Sequence, residues 1–91
     1  MGTSFGIAAF RSRTQVLRYE DALRRAGLSA SVISTPREVA IGCGLSVRFD
    51  LDKIQQVMGI YRRLNPSALV GFYRVEGYGT RSMRLTPLLT R

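Results

Sequence analysis

Two amphipathic helical stripes, each closed by a stop signal and each flanked by short β-rich runs, constrain this chain more than any other feature. From Arg13 to Ala26 the apolar residues Val16, Tyr19, Leu23 and Ala26 recur at spacings of three and four, which puts them on one helix face. Ser12 with Gln15 three residues on has the form of a capping box, and Gly27 ends the segment. The second stripe is Leu51, Ile54, Val57, Met58, Tyr61 and Leu64. Asp50 stands at its N-cap, Asp52 in its first turn, and Asn65-Pro66 stops it. Arg62 and Arg63 close its last turn, where cations are favoured. Gly59 interrupts it at a cost of about 1 kcal/mol relative to alanine.

Between and around these helices lie four strand-like runs. Phe5–Phe10 puts Phe5, Ile7 and Ala9 on one face. Ala30 to Ile33 or Ser34 is rich in β-branched residues and ends before Pro36. Gly44–Asp50 alternates, with Leu45, Val47 and Phe49 inward and Ser46 and Arg48 outward. Leu69–Val75 is the fourth run. The order strand, helix, strand, strand, helix, strand predicts an α+β, ferredoxin-like βαββαβ fold. Its four-stranded antiparallel sheet carries both helices on one face, with right-handed crossovers. Residues 1–75 form this domain in the reading, and residues 76–91 a basic C-terminal tail, ordered only if Leu85, Leu88 and Leu89 find an apolar surface.

Composition narrows the function classes. A chain of 91 residues supports one modest core. One cysteine excludes an intramolecular disulfide, and the absence of histidine removes most zinc sites and all histidine acid–base chemistry. Six scattered acids offer little to a hard cation, so no metal and no cofactor is expected. No apolar run reaches the roughly 18 residues needed to span a bilayer, and the N-terminus lacks a signal-peptide pattern, so no membrane contact and a cytoplasmic location are expected. The formal charge of +8 is almost all arginine, dispersed along the chain. It reads first as solvated helix faces and a basic tail, and second as a surface for weak, non-specific nucleic-acid binding.

The candidate site is Cys43, between Gly42 and Gly44 in an irregular segment that also carries Pro36, Arg37 and Glu38. The thiolate is the nucleophilic form of cysteine. Three features favour it here. Flanking glycines let backbone amides converge on an anion, Arg37 supplies a positive charge in the same loop, and Arg48 on the adjacent strand is a second cation if the loop folds back. The competing reading makes Cys43 a small buried filler in a glycine turn, since free cysteine is among the most buried residue types. The residues alone leave both open.

Thr35-Pro36-Arg37-Glu38 followed by Gly42-Cys43-Gly44-Leu45-Ser46-Val47-Arg48-Phe49 resembles the family described as putative selenium/sulfur carrier protein-like, small prokaryotic proteins. The resemblance covers roughly residues 5 to 75 and is most specific from Pro36 to Phe49. The spacer Val39-Ala40-Ile41 departs from the small polar residues expected there. By this resemblance Cys43 accepts a sulfur or selenium atom as a persulfide or selenosulfide and hands it on, which makes the chain a carrier more than a stand-alone catalyst. Arg37 would stabilise the thiolate, and Glu38 would hold Arg37 or help in proton transfer. The implied partners are sulfur or selenium donor and acceptor proteins. A lone thiol suits a carrier, whereas an intramolecular redox switch needs a resolving cysteine.

Two other classes compete. A nucleic-acid module of the same topology needs stacking aromatics on the open sheet face, and the reading puts Gly6, Ala8, Phe10, Ser46 and Arg48 there. A regulatory or homodimerising module would use the small residues Gly6, Ala8 and Ser46 for close approach of two sheets.

Overall fold

A computed structural model describes residues 4–39 and 43–90. The elements are β1 (Ser4–Phe10), α1 (Arg13–Arg25), β2 (Ala30–Ser34), a 3-10 turn (Arg37–Val39), β3 (Leu45–Phe49), a second 3-10 turn (Leu51–Lys53), α2 (Ile54–Leu64), β4 (Leu69–Glu76) and β5 (Arg84–Thr90). The class is α+β. The sheet is antiparallel and has five strands in the order β2-β3-β1-β4-β5, so the four-stranded ferredoxin-like sheet expected from the sequence is not reproduced as such. The extra strand comes from the tail. Leu85 finds the apolar surface that the tail needed, packing with Ile7, Val75 and Tyr73, while Leu88 and Leu89 stay exposed.

Both helices cover one face of the sheet. Val16, Tyr19 and Leu23 of α1 and Val57, Ile60 and Tyr61 of α2 pack on Ala8, Phe10, Val47, Phe49, Leu69 and Phe72. The Ser12 side chain accepts the Gln15 amide, and so caps α1 as the pattern requires. The second helix departs from its expected start. Asp50 makes no side-chain cap bond, and a 3-10 turn precedes Ile54, where α2 begins. Its buried face also differs: Ile60 is buried and Leu64 is 48% exposed. Leu51 falls in the 3-10 turn and is half-buried, while Leu64 ends the helix on its exposed side.

The side of β1 that meets the helices is the reverse of the expectation. Register pairs Ala8 with Val47 and Gly6 with Phe49, so Gly6, Ala8 and Phe10 lie under the helices. A Cβ on Gly6 would overlap the Phe49 ring, so only glycine lets that aromatic lie flat across β1. Phe5, Ile7 and Ala9 face the other way, and that side is apolar too. Val75, Tyr73, Leu85, Met83 and Ile33 gather on Phe5 and Ile7, while Val39 and Val70 gather on Ala9. An alternating pattern assigns a face only where one side is polar. In β1 both sides are apolar and both are buried.

Aromatic contacts tie the helix side together. Tyr19, Phe49 and Tyr61 each meet Phe72 edge-on, and the Tyr19 hydroxyl donates to the Val57 carbonyl at 2.7 Å. On the other side Tyr78, in the β4–β5 turn, meets the Phe5 ring at 5.6 Å and donates from its hydroxyl to Ser34 on the far edge strand. This residue straps the β4–β5 turn across the sheet to β2.

Candidate functional site

Cys43 sits where the β2–β3 connection returns to the sheet. Thr35 N–H donates to the Gly44 carbonyl at 2.9 Å, closing the connection at its base. Cys43 N–H donates to the Phe10 carbonyl at 3.1 Å, which pins the cysteine backbone to the end of β1. The side chain is half-buried and packs against the helix-side core, and its thiol points at the Leu45 carbonyl, 3.8 Å away. Gly44 follows with φ of +84°, a left-handed conformation that a side chain resists. Among the described residues beyond its two chain neighbours, no heavy atom lies within 4 Å of where a Gly44 side chain would begin.

The other arm of the connection is anchored by burial. Pro36 is buried, and the Val39 N–H donates to the Pro36 carbonyl at 2.9 Å, winding the 3-10 turn. Val39 is driven into the non-helix side of the sheet, against Ala9 and Val70. Arg37 and Glu38, the outward residues of that turn, are exposed. Among the described residues neither forms an ion pair, including with the other. Gly42, the first half of the expected nest, lies outside the described residues with Ala40 and Ile41.

Arg48 is placed elsewhere. Its guanidinium lies 4.1 Å from the centre of the Phe5 ring, on the face of the sheet away from the helices. Cys43 packs against the helix side, so the sheet lies between them. The structure therefore joins Cys43 and Gly44 directly, holds Arg37 and Glu38 on the same connection, and sends Arg48 to the opposite face.

Two contributors escaped the sequence reading. Ser46, expected outward, is fully buried, and its hydroxyl pairs with that of Thr35 at 2.7 Å. That pair ties the base of the β2–β3 connection into the sheet. Val39 is the other, an apolar residue in a stretch that otherwise looks like loop. The available signal was the apolar run Val39-Ala40-Ile41 that it opens. Gly6 and Ala8 lie beneath the helices and Ser46 is buried, so these small residues form no exposed surface. Among the described residues no three His, Cys, Asp or Glu side chains gather as metal ligands would, and no helix is long and apolar enough to cross a membrane.

The chain thus places its single cysteine, half-buried, where the β2–β3 connection of an α+β sheet ends. The sequence matches the family described as Putative Se/S carrier protein-like over residues 5–67, and the chain belongs to that family. The match takes in β1 through α2 and the whole Cys43 connection, and ends before β4. No curated protein and no solved structure matches the chain.

Proposed function

We propose that this protein carries sulfur or selenium on Cys43, as a persulfide or selenosulfide, between a donor and an acceptor. The observation that supports the reading most is the setting of the chain's only thiol. Its backbone is pinned to Phe10, the residue is half-buried, and Gly44 follows it in a left-handed conformation. In the family to which the chain belongs, that is the residue a carrier would load.

Loading begins when the Cys43 thiol gives its proton to solvent and the sulfur turns from the Leu45 carbonyl, which suits only a proton-bearing partner. The thiolate attacks the outer sulfur of a donor persulfide. A new S–S bond forms at Cys43, the donor's own S–S bond breaks, and its electron pair leaves with the donor thiolate. Delivery repeats the exchange, with an acceptor thiolate attacking the outer sulfur and Cys43 thiolate departing. No net oxidation occurs in either step. With selenium as the outer atom the electron count is the same. Arg37 contributes positive charge to the connection on which the thiolate forms, and Glu38 moderates it. Arg48 takes no part, being held over Phe5.

The test is intact mass after incubation with a donor persulfide. Wild type gains one sulfur atom per chain, and Cys43→Ser gains none, since serine forms no persulfide and no second cysteine can replace it. Equal gain in both proteins would remove Cys43 from the reaction.

The alternative, a basic nucleic-acid module, rests on the charge of +8. Phe5 faces away from the helices, yet Arg48 and Tyr78 leave it only 4% exposed, so it offers no stacking surface to a base.

A further inference from the structure

Gly59 lies in the interior of α2, and no contact among the described residues requires a glycine there. Its backbone is helical, with no positive φ. Among the described residues, beyond the helix's own nearby backbone and its chain neighbours, a Cβ placed there would meet no heavy atom within 4 Å. Glycine is the least favourable residue for a helix interior after proline. At Gly6 the missing side chain makes room for Phe49, whereas at Gly59 it makes room for none of the described side chains.

The room it leaves is the floor of a cleft of about 380 Å³ between the end of α1 and the flank of α2. Ala26, Leu28 and Ile60 give it apolar walls, and Gln56 and Arg63 stand one turn to either side of Gly59 and Ile60 along α2. That volume falls within the range of small-molecule sites, which are mostly apolar with a few polar groups that fix orientation. Arg63 has no ion pair among the described residues, so its guanidinium is available to an anion at one end of the cleft. Arg62 beside it and the charge of +8 add to the attraction for a negative group and oppose a positive one.

We propose that this cleft binds an amphipathic carboxylate, with its aliphatic chain along Ala26, Leu28 and Ile60 over Gly59 and its carboxylate paired with Arg63. An Arg–carboxylate pair is charge-assisted and can be bidentate, which fixes the orientation of the bound chain. The site is independent of the carrier chemistry, because neither Cys43 nor its connection lines it.

Octanoate is the probe, followed by backbone amide NMR, with octanol and octyl phosphate as companion probes. The proposal expects saturable octanoate shifts centred on Ala26, Leu28, Gly59 and Ile60, unchanged in Cys43→Ser. Gly59→Ala should raise the thermal midpoint by restoring helix propensity while weakening octanoate binding about tenfold, since the new methyl occupies the floor. Opposite signs on stability and binding separate a ligand role from a structural one. Arg63→Gln should weaken octanoate about tenfold and leave octanol unchanged. Octyl phosphate binding as well as octanoate would keep the site and widen its ligand to aliphatic anions in general. Absence of saturable shifts overturns the proposal. So does a Gly59→Ala variant of undiminished affinity, or octanol binding as tightly as octanoate.

Discussion

Cys43 owes its setting to backbone bonds more than to neighbouring charge. Its N–H donates to the Phe10 carbonyl and its thiol is directed at the Leu45 carbonyl. Arg37 is exposed on the same connection, and the role proposed for it is one of charge acting on the sulfur across solvent. Arg37→Ala is therefore expected to slow alkylation of Cys43 at neutral pH by a few-fold, with stability changed by no more than about 0.5 kcal/mol, as for other exposed sites. Iodoacetamide kinetics and a thermal melt measure both. A large stability loss with unchanged reactivity would make Arg37 structural. Arg48→Ala should leave the alkylation rate alone, since Arg48 is stacked on Phe5 beyond the sheet. Gly6 carries a structural prediction at the same scale. Gly6→Ala forces a methyl into the Phe49 ring and should cost about 1–3 kcal/mol in denaturant unfolding. A neutral result would mean that Phe49 can turn aside.

Among the elements, α1 and α2 are joined through Tyr19. Burial pushes its phenol well above the ordinary tyrosine range, with a further push from nearby Tyr61, so the folded protein keeps this hydroxyl neutral where an unfolded chain would ionise it. Below about pH 10 both states hold the proton and the difference has no effect. Above it the unfolded state loses the proton and the native state does not. Stability should then fall by about 1.4 kcal/mol per pH unit until the folded group also titrates. Tyr19→Phe should lose the bond to the Val57 carbonyl, costing about 1 kcal/mol at neutral pH, and should flatten that alkaline decline. Urea unfolding of both proteins at a series of pH values provides the check. An alkaline slope that survives the substitution would place its origin elsewhere.

The elements were legible in the sequence to unequal degrees, for physical reasons. α1 has a full 3.6-residue stripe and a side-chain cap, and its bounds came out within a residue. The start of α2 did not, because Asp50 looks like a cap yet is followed by a 3-10 turn. The sides of β1 were reversed because Phe5, Ile7 and Ala9 are no more apolar than Ala8 and Phe10, and only pairing with β3 decides between them. Ser46 lies on the side of β3 expected for it, opposite Val47 and Phe49, but its burial was not legible, because that side looked open and its partner hydroxyl on Thr35 is brought to it only by the β2–β3 pairing. The Cys43 connection could be located from Pro36, Gly42 and Gly44, but the Phe10 and Leu45 contacts are long-range or conformational and have no sequence signature.

For the whole molecule, the main surprise is that both sides of the sheet are covered. Helices cover one, and the β4–β5 hairpin with Val39 covers much of the other. The residues from Gly77 onward, which composition marks as a basic tail, supply Tyr78, Met83 and Leu85 to that second core. A chain cut after Glu76 should lose about 1.5–3 kcal/mol from the half-buried Met83 and Leu85, and expose β4 as a new edge. A truncated protein with the full-length unfolding midpoint would show that the hairpin is dispensable. Charge acts at this scale as well. Any affinity for single-stranded RNA should come from arginine–phosphate contact alone and fall steeply between about 50 and 200 mM salt. Sequence preference that persists at the higher salt would favour a nucleic-acid module over a carrier.

The central claim is that Cys43 both takes and gives up a chalcogen atom, and heavy-isotope sulfur followed by intact mass tests it most directly. The protein is loaded from a donor persulfide carrying the isotope, freed of donor, and then challenged with an external thiol. The account predicts one heavy sulfur per chain, located on Cys43, and its appearance on the thiol as the protein returns to its starting mass. A natively folded protein whose Cys43 stays unmodified by donor persulfide, polysulfide and selenosulfide alike would contradict it.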